Sequence, residues 1–418
     1  MVSFRNSTHR VFIIDILRKG ELMKKQKNVI IIERIDYQKL LNKEDFKMKF
    51  KFVGLGAAGN KAVMELVGRG FDQKDLVLVN STDKDFPKEY TGDHKIVLKP
   101  DNTGCGKERG IAKEYAIKAI NAGVFDNIFE EGITNVMLVS SVEGGTGSGS
   151  TPIIAQYISE VLGLNVHICA FLGFEDDTRG LQNTVEFFQE VSGFEADIMT
   201  IRNSAFTSVN KFRAEELANL EFVNRVRVIT GQEMIISSQN IDDTDIFKVV
   251  STFGYKTVES ISFDNNLLDV EQFNKLCKQM IYNSKSVKSE KPGMIRLGVI
   301  LNIAPGSEDA IDYTFKTLKD EYGNPYEFFF HKQYDGKKQF IQFIASGMKL
   351  PIDEVSKIYE RYQESSKSVD KNKDDFFDKI SKLSIASEDA AFDMGRGTKK
   401  STVSKAGFLK GLETTPEE

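Results

Sequence analysis

The chain of 418 residues contains no tryptophan, only three cysteines and only four histidines. The cysteines, Cys105, Cys169 and Cys277, are odd in number and far apart. This spacing argues against a disulfide framework and fits a reducing cytoplasm. The histidines are too scattered to indicate a metal-ligand cluster, so we expect no metal held directly by side chains.

The chain also lacks long apolar runs. None approaches the roughly 18 residues that a transmembrane helix requires. Near the start, Asp15 interrupts the apolar stretch from Val11 to Leu17, which argues against a signal peptide and for a chain without membrane insertion. The composition, 40% hydrophobic and 28% charged, is that of an ordinary globular protein. A net charge of −5 argues against direct DNA binding by the body of the chain.

Apolar segments alternate with helical patterns in the first half of the chain. Buried strands are predicted over 50–53, 76–79, 136–139 and 166–172. Helices are expected between them, the first from Asn60 to about Gly68. This alternation predicts an α/β fold with a mostly parallel sheet and helices on both faces.

The second half predicts a different organisation. Residues 204–238 have a helical pattern without proline, too long for a crossover helix, and predict a central helix between two domains. Strands are predicted over 296–303, 327–331 and 339–344, with a hairpin turn at Tyr334-Asp335-Gly336-Lys337 between the last two. One more helix is predicted over 351–383.

These patterns divide the chain into six segments. They are an N-terminal extension (1–47), a first domain (48–203), the central helix with the start of the next loop (204–240), a second domain (241–350), a C-terminal helical segment (351–394) and a flexible basic tail (395–418).

Two glycine-rich segments each follow a strand and open a helix: Gly54 to Gly59, and Glu143 to Ser150. Glycine allows the backbone to approach an anion closely, and a helix N-terminus presents free N–H groups. Thr146 and Ser148 add hydroxyl donors. Gly/Ser runs can also be flexible linkers, but a linker rarely joins a buried strand to a helix. We therefore expect a phosphate cradle.

The first of these segments, taken alone, fits the G-x-G-x-x-G pattern of nicotinamide-dependent oxidoreductases. Asp83 would be the acidic residue that binds the ribose. An NAD-dependent oxidoreductase stays an alternative, although it has no use for the second loop. Two phosphate loops on adjacent strand ends fit a nucleoside triphosphate better.

The segment from Glu143 to Gly149 resembles the signature G-G-G-T-G-[ST]-G of the tubulin/FtsZ superfamily. Glu143 stands in place of the first glycine. The resemblance spans roughly residues 48 to 350 and recurs in order at each family motif. It implies a Rossmann-like GTPase domain, a long central helix, a smaller α+β activation domain, an extended C-terminal helix and a flexible tail. It also implies GTP/GDP and Mg²⁺ as cofactors.

The resemblance also implies which residues bind the nucleotide. The segment around Thr103 resembles the loop that senses the γ-phosphate, and the segment from Phe174 to Arg179 resembles the ribose loop F-E-G-x-x-R. Asn203 and Asn224 fall where the family recognises guanine, although a lone asparagine is also often a cap or turn residue. The implied nucleotide-binding residues are Gly56, Ala57, Ala58, Gly59, Asn60, Asn80, Gly104, Gly106, Gly144, Gly145, Thr146, Gly147, Ser148, Glu175, Arg179, Asn203 and Asn224.

The segment from Asn240 to Ile246 resembles the FtsZ synergy loop N-x-D-x-x-D. From the residues alone, the favoured interpretation is that Asp242 caps the following helix. The resemblance implies that Asn240, Asp242 and Asp245 are catalytic and act on the γ-phosphate held by the next subunit. GTP hydrolysis would then be activated by polymerisation into a head-to-tail filament.

Two features favour the TubZ-like proteins of plasmids and phages within the superfamily: the long final helix and the basic tail. The basic residues of that tail are Arg396, Lys399, Lys400, Lys405 and Lys410. They imply a DNA-bound adaptor as partner, and a solvated tail without a partner is the alternative. The implied function is a filament that segregates plasmid or phage DNA in the bacterial cytoplasm. The alternatives are an FtsZ-like division protein and a phage DNA-positioning spindle.

Overall fold

The computed structural model describes residues 48–194, 196–232, 234, 243–264, 269–289, 293–307, 309–336 and 338–366. The strands are β1 (Phe50–Leu55), β2 (Leu76–Asn80), β3 (Lys95–Val97), β4 (Asn135–Ser141), β5 (Asn165–Leu172), β6 (Asp197–Arg202), β7 (Gly254–Phe263), β8 (Arg296–Asn302), β9 (Glu327–Gln333) and β10 (Gln339–Met348). The α-helices are α1 (Gly56–Met64), α2 (Arg109–Asn121), α3 (Thr146–Glu160), α4 (Thr178–Val191), α5 (Lys211–Ile229), α6 (Asp243–Val250), α7 (Val270–Tyr282), α8 (Ala310–Tyr322) and α9 (Ile352–Ser366).

All these strands form one sheet in the order β3-β2-β1-β4-β5-β6-β7-β10-β8-β9. The first six are parallel and follow the 3-2-1-4-5-6 order of doubly wound folds. The four central strands β1, β2, β4 and β5 are mainly apolar and buried, because both faces of a parallel sheet are covered by helices. The predicted α/β fold with a mostly parallel sheet is confirmed.

Alternate residues of each parallel strand point to opposite faces and belong to two separate cores. In β1, Val53 and Leu55 pack into one core together with Ile154 of α3. Phe52 packs into the other, together with Phe222 of α5. This sandwich holds the carboxyl ends of the strands rigidly, and the loops that follow them carry the candidate site.

The predicted hairpin between β9 and β10 is wrong. β10 lies between β7 and β8 and is antiparallel to both, whereas β9 is at the sheet edge, parallel to β8. The Asp-Gly turn exists, with Gly336 at φ 72°, and the Asn302 side chain donates to Asp335 Oδ1 at 2.9 Å. The connection therefore crosses the end of β8, because the apolar β10 is buried more completely in the interior of the sheet than at its edge.

The central helix is shorter than predicted. It begins at Lys211 because the Asn210 side chain accepts a hydrogen bond from the Arg213 N–H at 3.0 Å and caps it. Its last residue is Ile229, and Gly231 follows in the left-handed region at φ 64°. The predicted bounds of 204–238 were wrong because a helical pattern of apolar residues does not reveal the cap.

Helix α9 confirms the first part of the predicted C-terminal helix, and residues beyond Ser366 lie outside the described residues. Its buried side chains pack into the core of the first half of the chain, on α4. They are Val355, Ile358, Tyr359 and Tyr362. Arg202 of β6 donates to Glu354 Oε2 at 2.9 Å and fixes the N-terminal turn of the helix.

A buried polar network joins the amino ends of β5, β6 and β7. His167 contacts Asp197 through Nδ1 and Asn135 through Nε2. Lys256 donates to Asp197 Oδ2 at 2.6 Å and also to the carbonyl of Val250, the last residue of α6. Burial lowers the pKa of His167, because the charged ring loses its hydration there. The network therefore contains a neutral histidine.

This network predicts a loss of stability in weak acid. The unfolded chain binds a proton at His167 near pH 6.5, whereas the folded chain resists it, so the stabilisation is complete above that pH and is lost as pH falls below it. Replacing His167 with Gln should flatten the fall in denaturant midpoint between pH 7 and pH 5.5. An unchanged pH slope in the variant would contradict the assignment.

Candidate nucleotide site

A cavity of about 340 Å³ lies at the carboxyl ends of β1, β2 and β4, where the strand order reverses. Ligands bind at this position in open α/β sheets. The lining residues are Leu55, Gly56, Ala57, Ala58, Asn80, Ser81, Asp85, Gly104, Cys105, Gly106, Lys107, Ser141, Gly144, Gly145, Thr146 and Gly147. Ten of these are among the residues that the sequence implied for nucleotide binding, so the structure gathers loops from distant parts of the chain.

The N-terminus of α3 opens into this cavity. The first backbone N–H groups of a helix have no partner within it and attract anions. Pro152 lies inside the helix and cannot donate to the Ser148 carbonyl four residues earlier. Arg109 Nη2 donates to that carbonyl instead at 3.0 Å, so the first turns stay regular.

The two glycine-rich loops touch each other. Gly56 has φ 75°, and a Cβ there would lie 3.1 Å from the backbone nitrogen of Gly147. A third loop joins them through a hydrogen bond of 2.9 Å between the hydroxyls of Ser81 and Thr146. Side chains on these glycines would separate the loops and open the cradle.

Three of the implied residues support the walls of the cavity and are not part of its lining. Gly59 packs against β4, where a Cβ would lie only 2.0 Å from the Val139 carbonyl oxygen. The Asn60 side chain donates to the Val79 carbonyl at 3.2 Å and ties α1 to β2. The Ser148 hydroxyl donates to the Gly144 carbonyl and closes the signature loop.

Asn183 of α4 is a supporting residue that sequence reasoning missed. Its amide donates to the carbonyls of Lys107, Glu143 and Gly144 at 3.0, 3.1 and 3.2 Å. It therefore joins two segments: the one from Thr103 to Lys107, which we call the γ-phosphate loop, and the one from Glu143 to Gly149, which we call the signature loop. Asn183 lies in a helix about 40 residues after the motif, and no local pattern points to it.

Replacing Asn183 with Ala should weaken nucleotide binding by about tenfold, since the carbonyls it joins lose a shared donor. Equilibrium binding of a fluorescent GTP analogue measures this effect. Gln182→Ala is the matched control, because Gln182 is the neighbouring residue on the same helix and its side chain hydrogen-bonds Arg179 and Glu186 instead of the loop carbonyls. Equal affinities of the two variants would contradict the role of Asn183.

Glu143, where the signature has glycine, packs against the ribose loop. Its Oε1 accepts the backbone N–H of Glu175 at 2.9 Å, and a Cβ at Gly173 would lie 2.0 Å from its Oε2. Burial raises the pKa of Glu143, and the neighbouring carboxylates of Glu175 and Asp177 raise it further. The departure from the motif is thus compensated by a glycine in the facing loop.

The implied ribose residues lie beside the cavity. Arg179 pairs with Glu108, and Lys107 with Asp177, so the ribose loop is joined to the γ-phosphate loop. Glu175 pairs with Arg361 of α9. The backbone of Glu175 is in the left-handed region at φ 59°, a conformation that side-chain-bearing residues rarely adopt.

Three buried polar side-chain atoms near these loops indicate that a polar ligand fits here. Among the residues that the structure describes, Asn60 Oδ1, Asn80 Nδ2 and Asn203 Oδ1 have no hydrogen-bond partner. A buried polar atom without a partner destabilises a fold by about 1–3 kcal/mol. Asn80 lines the cavity, and a ligand with hydrogen-bonding groups would satisfy its amide.

Asn224 is not brought to this cavity. It lies on the C-terminal half of α5 and lines a separate polar cavity of about 190 Å³ with Glu259 and Gln342. The N-terminal half of α5 is the part that adjoins the site, since Lys211 pairs with Asp176 of the ribose loop. The helical pattern predicts the helix that carries Asn224 but not how that helix packs, and the role of Asn224 in guanine recognition stays a prediction.

Asp245 lies beyond the opposite end of α5 from the cavity. The α5 helix begins beside the ribose loop and ends beside α6, where Ile246 Cδ1 is 3.5 Å from the position of a Cβ at Gly231. Its 19 residues span about 28 Å. The Asp245 side chain is 29% exposed and contacts Lys248 Nζ at 3.3 Å. Asn240 and Asp242 lie outside the described residues.

The described ranges contain neither a cluster of metal-ligating side chains nor a membrane-spanning helix. No group of three or more His, Cys, Asp or Glu side chains there could hold a metal ion. No helix in the same ranges is long and apolar enough to span a bilayer.

Several known proteins are similar to this chain in sequence or in fold. Residues 49–211 match the model of the Tubulin/FtsZ family, GTPase domain. The cell division protein FtsZ of Magnetospirillum gryphiswaldense is 22% identical over 321 residues, which cover 73% of this chain and 55% of that relative. The chain spans about half the length of the curated relatives it matches.

Solved structures of similar fold include two TubZ proteins. The tail-truncated TubZ of Clostridium botulinum phage c-st has a TM-score of 0.60 and 21% identity, over 77% of this chain and 98% of that one. TubZ of Bacillus thuringiensis serovar israelensis, solved as a GTPγS-form protofilament, has a TM-score of 0.62 and 13% identity, over 77% and 94%. Residues 49–211 therefore match the GTPase domain of the tubulin/FtsZ family, and the described chain has the fold of these solved structures.

Proposed function

We propose that this protein binds GTP in the cavity at the carboxyl ends of β1, β2 and β4 and assembles head to tail into filaments. The observation that carries the proposal is the position of Asp245, across α5 from the phosphate cradle. A carboxylate beyond the far end of a helix about 28 Å long cannot act on a nucleotide held beside the start of that helix in the same subunit. Repeating a contact between the two ends places it on the nucleotide of the next subunit and gives an open filament.

Within the cradle, backbone and hydroxyl groups perform most of the binding. The N-terminus of α3 and the glycine loops receive the phosphates, and the Ser81 and Thr146 hydroxyls orient them. Mg²⁺ would be held mainly by the phosphate oxygens and would neutralise charge on the γ-phosphate. Asp245, with the predicted Asn240 and Asp242, would then orient or deprotonate the attacking water.

The test is GTP hydrolysis measured against protein concentration, with light scattering recorded in the same sample. A rate per molecule that rises above a threshold concentration, together with scattering, is the expected result. A rate per molecule that is independent of concentration would mean that one subunit contains the complete site. The split-site proposal would then be wrong.

The cargo of the filament is a finer proposal, plasmid or phage DNA, and it rests on the likeness to TubZ and on the basic tail. Residues 395–418 lie outside the described residues. Fluorescent filaments of the full chain should colocalise with plasmid or phage DNA, and filaments of residues 1–394 should form but lose that colocalisation. A ring at midcell would instead favour a division protein, as the name of the FtsZ relative suggests.

A further inference from the structure

The last described helix, α9, reaches the ribose loop of the candidate site. Its Arg361 forms an ion pair with Oε2 of Glu175, whose side chain is only 10% exposed. The two residues are far apart in sequence, and no local motif connects them.

The packing of α9 fixes where this arginine lies. Tyr359 and Tyr362, on either side of Arg361, are buried in the core that α9 shares with α4. The α4 helix begins directly after the ribose loop, and Asp177 caps it by accepting the Gly180 N–H at 2.8 Å. The arginine and the loop are thus mounted on two helices that contact each other.

Glu175 is held from both sides. On the inner side, its backbone N–H donates to Glu143, which stabilises the left-handed conformation at φ 59°. On the outer side, Arg361 holds the carboxylate. A carboxylate has two acceptor oxygens. When an arginine binds one of them, the other is still able to accept a hydrogen bond from a hydroxyl group. Sugar hydroxyls are such donors, and an oriented carboxylate binds them without first losing its rotational freedom.

We propose that Arg361 is a positioning residue for recognition of the nucleotide sugar, acting through Glu175, so that sugar binding and the docking of α9 are coupled. The inference rests on the proposed binding of GTP. Since Arg361 is 48% exposed, it acts mainly by orienting the carboxylate and less by Coulomb attraction. The coupling is reciprocal, because two events that stabilise one arrangement stabilise each other.

The experiment compares binding of GTP and 2′,3′-dideoxy-GTP to the full chain and to Arg361→Ala. We expect the variant to bind GTP about tenfold more weakly and to bind the dideoxy nucleotide as the wild type does. A general loss of packing would instead weaken both nucleotides equally and would overturn the inference. Arg361→Lys, which keeps the charge, should restore part of the discrimination.

Lys357→Ala is the matched control, because Lys357 lies one turn earlier on α9 and pairs with Glu354 of the same helix. It should leave the GTP to dideoxy-GTP ratio unchanged. A wild-type chain that binds neither nucleotide would refute the proposed function itself. A wild-type chain that binds both equally, or an Arg361→Ala variant with the wild-type ratio, would overturn this inference and leave GTP binding intact.

Discussion

Replacing Asp245 with alanine should leave GTP binding intact, reduce hydrolysis by at least about a hundredfold and yield long-lived filaments. The phosphate cradle lies at the other end of α5, so the substitution does not touch the nucleotide held by the same subunit. GTP then stays unhydrolysed at each interface, and filaments that depend on hydrolysis for disassembly persist. Phosphate release and sedimentation of the same sample measure both effects.

Lys248→Ala is the control for this variant, since it removes a basic neighbour that lies 3.3 Å from Asp245 Oδ1 but keeps the carboxylate. It should retain most of the GTPase activity. Normal hydrolysis by Asp245→Ala would show that the split-site model is wrong.

Mixing two inactive variants gives a stricter test of the shared site. Asp245→Ala keeps the cradle, whereas Thr146→Ala weakens the cradle and keeps the aspartate face. An interface between them combines an intact cradle with an intact Asp245, so the mixture should hydrolyse GTP although neither variant does so alone. No activity in any ratio would count against a site formed by two subunits.

Replacing Gly59 with alanine should lower the free energy of unfolding by about 3 kcal/mol and weaken nucleotide binding as well. The new Cβ would lie 2.0 Å from the Val139 carbonyl oxygen, so α1 must move away from β4. That movement also displaces Gly56 and the first glycine loop from the signature loop. Denaturant midpoints and GTP affinity measure the two consequences.

Gly110→Ala is the matched control, because it is also a glycine within a helix, but its Cβ would meet no described atom within 4 Å beyond its chain neighbours and the adjacent backbone of its own helix. Both substitutions gain about 1 kcal/mol of helix propensity, so their difference isolates the clash. Gly110→Ala should be neutral or stabilising. Equal midpoints for the two variants would mean that α1 can shift without cost.

Four strands of the parallel half, β1, β2, β4 and β5, could be predicted because their sequences are mainly apolar, as expected for strands covered on both faces. The glycine loops could be predicted because close backbone approach requires glycine, and Gly56 and Gly147 do approach each other closely. Both features are local, so the residues concerned carry the whole signal.

The errors concern relations between distant segments. The Asp-Gly turn at Asp335 is typical of a hairpin, but β8 lies between the strands it connects because β10 is a more buried strand than β9. Asn224 lines a separate polar cavity and not the cavity at the strand ends, since the part of a helix that meets a cavity depends on how the helix packs. The predicted central helix is too long at its start because that end depends on one side chain, the cap Asn210, which the pattern of apolar residues does not reveal.

The sequence by itself determined the fold class, the two glycine-rich loops and the resemblance of the first domain to the tubulin/FtsZ family, because each depends on residues that are neighbours along the chain. The tertiary structure decided that Asn183 joins two loops, that Glu143 packs against a facing glycine and that Arg361 reaches Glu175. It also placed Asp245 at the far end of α5 from the cavity. These relations arise from helices packing on a sheet, and that packing brings together residues that no local pattern connects.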